Sequence, residues 1–106
     1  MGNTNYFSGV IKILEDPKEC LIQKTVPLVT CHAEISQVRK NRIISLSFWG
    51  NLAREIKKYY GRNDYILIEG YLSTRIQSNS NKKKAKQILI TVLRVYPIFL
   101  NSDRIN

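Results

Sequence analysis

Trp49, Tyr71 and Arg75 fall on the outward positions of two alternating segments. Two groups of cations, Arg39, Lys40 and Arg42, then Lys82, Lys83, Lys84 and Lys86, lie in the stretches between segments. An exposed aromatic face accepts a stacked base at ~1–3 kcal/mol, and Lys or Arg side chains that neutralise phosphates release counterions. Together these residue types support the grip of an unpaired polynucleotide. Each also has a plainer reading: Trp49 as a cap on the end of a barrel, Tyr71 as a subunit-interface aromatic, the lysine run as a solvated loop. Catalysis finds no comparable set. His32 is the sole histidine, with Glu34 as its same-face neighbour, and a nucleophile, base and orienter cannot be built from it. Glu15, Asp16 and Glu19 cluster at a turn, where carboxylates usually solvate a loop, and no glycine-rich phosphate loop is present. Cys20 and Cys31 with one histidine cannot make a zinc site, and both read as reduced thiols. The expectation is a binding protein and not an enzyme, with no cofactor and no metal.

Charge points to the same class of partner. The chain carries 17 Lys and Arg against 8 Asp and Glu, a formal net charge of +9, which favours a polyanion. Membrane binding is disfavoured. No stretch approaches the ~20 apolar residues of a membrane span, and no amphipathic segment sets a basic face against Trp, Phe and Leu. Met1-Gly2-Asn3-Thr4-Asn5 lacks the cationic and apolar regions of a secretory signal, so an intracellular site of action is expected.

The elements that must carry these residues read as short strands around one helix. A first strand runs over about 6–14 and closes at Glu15-Asp16-Pro17, with Cys20-Leu21-Ile22 as a short continuation. A second covers about 28–38, where Val29, Cys31, Ala33 and Ile35 alternate with Thr30, His32, Glu34 and Ser36. The third, 43–49, directs Ile44, Leu46 and Phe48 inward and Ile43, Ser45, Ser47 and Trp49 outward. Asn51 is the expected N-cap of a helix in which Leu52, Ala53, Ile56, Tyr59 and Tyr60 recur at helical spacing, and Gly61 and Asn63 supply the stop. A fourth strand spans 65–76, with Ile66, Ile68 and Leu72 inward, and a fifth about 87–96. Three strands, a helix and two strands in 106 residues is the order of the all-β, five-stranded OB barrel, whose helix sits between strands three and four. One domain is expected over 1–106, with its core over about 5–98 and a short flexible tail over 99–106. The lysine run then falls in the loop that OB proteins use, with the face of strands two and three, to hold oligonucleotides.

Two stretches add a resemblance. Phe48-Trp49-Gly50-Asn51-Leu52-Ala53 through Tyr59-Tyr60, and Ile66-Leu67-Ile68-Glu69-Gly70-Tyr71-Leu72-Ser73-Thr74-Arg75, resemble the central signature of bacterial-type single-stranded-DNA-binding proteins. The match is strong over about 42–75 and looser elsewhere, and it is most similar to the short plastid and cyanobacterial form. It implies a homodimer or homotetramer that wraps single strands during replication, repair and recombination, in a plastid stroma or a bacterial cytoplasm. By this resemblance Trp49 is the stacking aromatic before the glycine and Arg75 a basic contact. Ser73, Gln77 and Ile43 stand where the family often has a basic or aromatic contact, which implies weaker binding. The end, Asn101-Ser102-Asp103-Arg104-Ile105-Asn106, lacks the family's acidic tail, so recruitment of other proteins through such a tail is not expected. A primosome-type accessory factor or an RNA-binding subunit on the same fold is the alternative among binding proteins, since OB faces accept RNA as readily as DNA. An OB domain whose open face has become a protein interface is the structural alternative.

Overall fold

A period-two pattern of apolar residues builds most of the wall of this protein. The computed structural model describes residues 5–22, 25–35, 42–78 and 84–98. Its elements are β1 (Asn5–Ile13), β2 (Lys18–Ile22), β3 (Val26–Ile35), β4 (Arg42–Trp49), α1 (Asn51–Tyr59), β5 (Tyr65–Ser78) and β6 (Lys84–Pro97). They form one sheet in the order β1-β5-β6-β4-β3-β2, and β1 also pairs with β3 through Lys12↔Glu34 and Ile13↔Ala33. That second pairing closes β1, β5, β6, β4 and β3 into a ring, the five-stranded OB barrel with its helix between the third and fourth strands of the ring. Among the described residues, all pairings are antiparallel except β4 with β6.

Cys20-Leu21-Ile22 does not continue β1. It belongs to β2, a strand in its own right that pairs back on β3 through Cys20↔Leu28 and Ile22↔Val26. The loop expected to hold the lysine run is also shorter than its composition suggested. Lys84 and Lys86 belong to β6, opposite Ser78 and Ile76. Lys82 and Lys83, like Arg39 and Lys40 of the hairpin, lie outside the described residues.

Inward residues of every barrel strand meet in one core. Ile11 and Ile13 of β1, Val29, Cys31 and Ala33 of β3, and Ile44, Leu46 and Phe48 of β4 are buried, with Ile66 and Ile68 of β5 and Ile90 and Val92 of β6. Helix α1 plugs this core with Ala53 and Ile56, while Leu52 and Tyr60 pack at its margin. Burial pushes the Cys31 thiol up to about 12, so it behaves as an inert apolar group.

Glycines act at two places. Gly50, and not Asn51, is the N-cap of α1. Its φ of 66° and ψ of −134° belong to a region that side chains avoid, and no side chain caps the helix. Asn51 Oδ1 instead accepts from Arg54 Nη1 at 2.8 Å. Gly70 sits at a bulge, where Glu69 pairs with Arg94 but Gly70 with Val92, leaving Leu93 as the extra residue. A Cβ on Gly70 would lie 2.2 Å from the Thr91 carbonyl oxygen, so only glycine allows this approach of β5 to β6. At the other end of α1 the helix stops at Tyr59 and the chain is already extended at Tyr60. Asn63 takes the left-handed conformation one turn later, at φ 76°.

Candidate nucleic-acid interface

Strict alternation places the candidate residues. Because Ile44, Leu46 and Phe48 are fully buried, Ser45, Ser47 and Trp49 face outward, and Trp49 ends β4 with 44% of its surface exposed. It pairs with Leu28 of β3, and the next amide, of Gly50, donates to the Pro27 carbonyl oxygen at 3.0 Å. The indole is thus held on the outside of the barrel and does not cap its end. On β5 the same logic sets Tyr71, Ser73 and Arg75 outward, all exposed.

These strands frame an outward groove of ≈ 540 Å³. Its floor is a carpet of hydroxyls. Thr30, Ser47 and Thr91 form one register row across β3, β4 and β6, and Ser45 and Ser73 flank Leu89 in the next row. Trp49 and Leu28 close one end, while Arg75 stands in the row of Gln87 toward the other. Six residues of β4 separate the Trp49 row from the Arg75 end, about 20 Å at the ~3.3 Å rise of a strand. Gln87 Nε2 donates to Ser45 Oγ at 3.1 Å, and its Oε1 is buried without a partner among the described residues.

Trp49 and Arg75 therefore share the groove. Tyr71 does not line it. It occupies the Thr91 row on the same outer face, but its ring meets Tyr6 of β1 edge-on, with centroids 6.0 Å apart and planes at 73°. Arg42 begins β4, exposed, opposite Ile35. The cations Lys84 and Lys86 enter the sheet at the N-terminal end of β6, the end where Arg75 stands.

Sequence reasoning missed one pair. His32 does not interact with Glu34; its Nδ1 lies 2.8 Å from Glu15 Oε2, and the His32 backbone amide donates to the same oxygen at 3.1 Å. The hydrogen bond from His32 holds the Glu15 carboxyl below the usual carboxylate range. Both residues line the groove. Asp16, expected only to solvate its turn, accepts from the Arg62 amide at 2.9 Å. The hydroxyl floor carried a signal, since Thr30, Ser45, Ser47 and Ser73 all fall on outward positions. The contact of Glu15 with His32 carried none.

No family profile matches the chain. "Putative single-stranded DNA-binding protein ycf41" of Trieres chinensis is 38% identical over 104 residues, covering 92% of each chain. The chain belongs to the ycf41 family. Solved structures give the ycf41 family chain its fold relatives. The SSB domain of a Synechococcus protein superposes with a TM-score of 0.69 at 23% identity, covering 91% of this chain and 98% of that one. The second single-stranded-DNA-binding protein of Mycobacterium smegmatis gives 0.67 at 20% identity, covering 90% and 89%. Mitochondrial Rim1 of S. cerevisiae gives 0.74 at only 7% identity, covering 92% and 97%. At these identities the likeness is one of fold. Family membership goes with a non-enzymatic protein. Among the described residues no cluster of His, Cys, Asp or Glu could hold a metal, and no helix is long and apolar enough to cross a membrane.

Proposed function

We propose that this ycf41 family member binds single-stranded DNA without sequence preference, along the outward groove of its OB barrel. The observation that carries the reading is the groove itself: an exposed indole at one end, a guanidinium toward the other, and hydroxyls between them. Trp49 stacks a base. Arg75 holds a phosphate about 20 Å away, with Arg42, Lys84 and Lys86, and with Arg39, Lys40, Lys82 and Lys83, supplying further cationic reach. The hydroxyl floor donates and accepts without demanding one base, which suits a ligand of mixed sequence. A net charge of +9 and relatives described as single-stranded-DNA-binding proteins support this polyanion. The processes it serves are those that expose single strands: replication, repair and recombination, in a plastid stroma or a bacterial cytoplasm.

The protein acts as a homodimer or homotetramer. Tyr6 and Val10 of β1, with Tyr71, Leu93 and Tyr96 of the neighbouring strands, are exposed away from the groove. A face of this kind suits a second copy of the chain better than water. Under this reading Tyr71 serves assembly and Trp49 serves the ligand.

A titration of Trp49 fluorescence, the chain's single tryptophan, with single-stranded DNA, single-stranded RNA and duplex tests the function. Quenching by the DNA strand at the lowest concentration is expected. Quenching by RNA at tenfold lower concentration would move the assignment to an RNA-binding subunit. An unresponsive indole with no mobility shift for any nucleic acid would leave a protein-interface domain.

A further inference from the structure

His32 is the chain's single histidine and lies on the β3 flank of the groove, in the register row of Ser45, Leu89 and Ser73. Its ring is not free to turn. Nδ1 faces Glu15 Oε2 at 2.8 Å, and that oxygen is itself pinned by the His32 amide at 3.1 Å. An ionised carboxylate can only accept, so Nδ1 carries a proton whatever the charge of the ring. Nε2 is left as the nitrogen that gains or loses a proton, and as the polar atom the ring can offer a ligand. The side chain is 52% exposed, against 35% for Glu15.

The sign of this pair depends on Nε2. With the imidazole neutral, Glu15 and His32 together carry a net negative charge on the flank of a groove whose ligand is a polyanion, and Nε2 turns a lone pair toward any phosphate. With the ring protonated, the pair is neutral and Nε2–H is a donor able to make a charge-assisted bond to a phosphate oxygen. We propose that His32 is a phosphate-contacting residue of the groove, held in position by Glu15, and that it makes this contact only when protonated.

The inference rests on the single-strand function proposed above. Among the described residues, the other charged groups around the pair are Lys18 of β2, which acts on Glu15, Arg75 of β5 on the facing wall, and Glu34, the next outward residue of β3. Histidine is the side chain whose ordinary titration falls between pH 5 and 8. Glu15, held low by its hydrogen bond from His32, stays a carboxylate through that window. Tightening on acidification that is lost when His32 is replaced is therefore the readout that assigns the contact to His32.

The test is fluorescence anisotropy of a fifteen-nucleotide thymidine strand carrying a pH-insensitive dye, at constant ionic strength from pH 8 to pH 5.5. Wild type is compared with His32→Gln, whose amide can still donate to Glu15, and with Glu15→Gln. Wild-type affinity should rise about tenfold as pH falls, the scale of one hydrogen bond to a charged group. Its salt slope should steepen by ~0.7, one further phosphate. His32→Gln should show no such rise. Glu15→Gln should bind more tightly than wild type at pH 8, since it removes the negative charge. Circular dichroism melts at each pH confirm that the variants are folded. A flat profile in wild type that still binds overturns the role of His32 alone, as does a rise that survives in His32→Gln. Absence of binding by wild type at every pH overturns the single-strand function, and this contact with it.

Discussion

Replacing Trp49 with alanine separates a stacking indole from a packing one. The whole side chain offers roughly 200 Å², and 44% of the residue is exposed, so about 90 Å² is open to a ligand. A stacked base covers one face, about half of that area. At ~25 cal/mol per Å² this gives ~1 kcal/mol, and the aromatic geometry adds ~0.5–1.5 kcal/mol. Binding should weaken by about 1.5–2.5 kcal/mol, a factor of roughly 12 to 70, within the range for base stacking. The covered remainder lies beside Leu28, its partner on β3. Its loss costs folding up to ~2–3 kcal/mol on the same area scale, which a domain stable by ~5–15 kcal/mol survives. Two assays on one sample separate the terms: a urea melt for the folded fraction, and anisotropy of a labelled single strand for affinity. A variant that loses stability, yet binds like wild type once corrected for its folded fraction, would refute the stacking role and leave Trp49 as a packing residue.

Three further outcomes follow from the same structure. Log affinity for a single strand should fall linearly with log salt at ~0.7 per neutralised phosphate, and an affinity indifferent to salt would remove the cationic contacts. Light scattering should give a dimer or tetramer, with Tyr6→Ser or Tyr71→Ser shifting it toward monomer; a wild-type mass near 12.3 kDa at micromolar concentration would refute self-association. Gly70→Ala should destabilise at the upper end of the ~1–3 kcal/mol of an overpacked site, because its Cβ would meet the Thr91 carbonyl oxygen at 2.2 Å; an unchanged urea midpoint would show that β5 and β6 can part at the bulge.

What could be read in the residue order follows from how local each signal is. Alternation in β4 is strong enough to set Trp49 outward and Phe48 inward with no tertiary information, and the same period orders β3 and β5. Lys18-Glu19-Cys20-Leu21-Ile22 has no alternation, so β2 exists only because β3 offers it an edge. Asn51 is a capping type beside a glycine, and composition cannot say that Gly50 bends the chain sharply enough to serve as the cap itself. Lys84 and Lys86 look like loop residues, yet they extend a ladder whose register is set further along, at Ile90 and Val92. For Tyr71 the outward direction was legible but its neighbour was not. Contact with Tyr6 depends on β1 pairing with β5 across most of the chain. Glu15 and His32 meet because β1 and β3 close the barrel, and no spacing between them announces it.

The parallel pairing of β4 with β6 also constrains how the protein is made. β4 and β6 meet through Ser45↔Leu89 and Ser47↔Thr91, and between them the chain must complete α1 and the whole of β5. A nascent chain that has left the ribosome only as far as β4 holds Trp49, Thr30 and Ser47, but half of the groove floor is still unsynthesised. Pairings that span so much sequence form late and slowly. Until then the edge of β4 lies bare and open to wrong partners. The groove is thus among the last parts of the molecule to exist, and an immature chain should not compete for the single strands that the finished one binds.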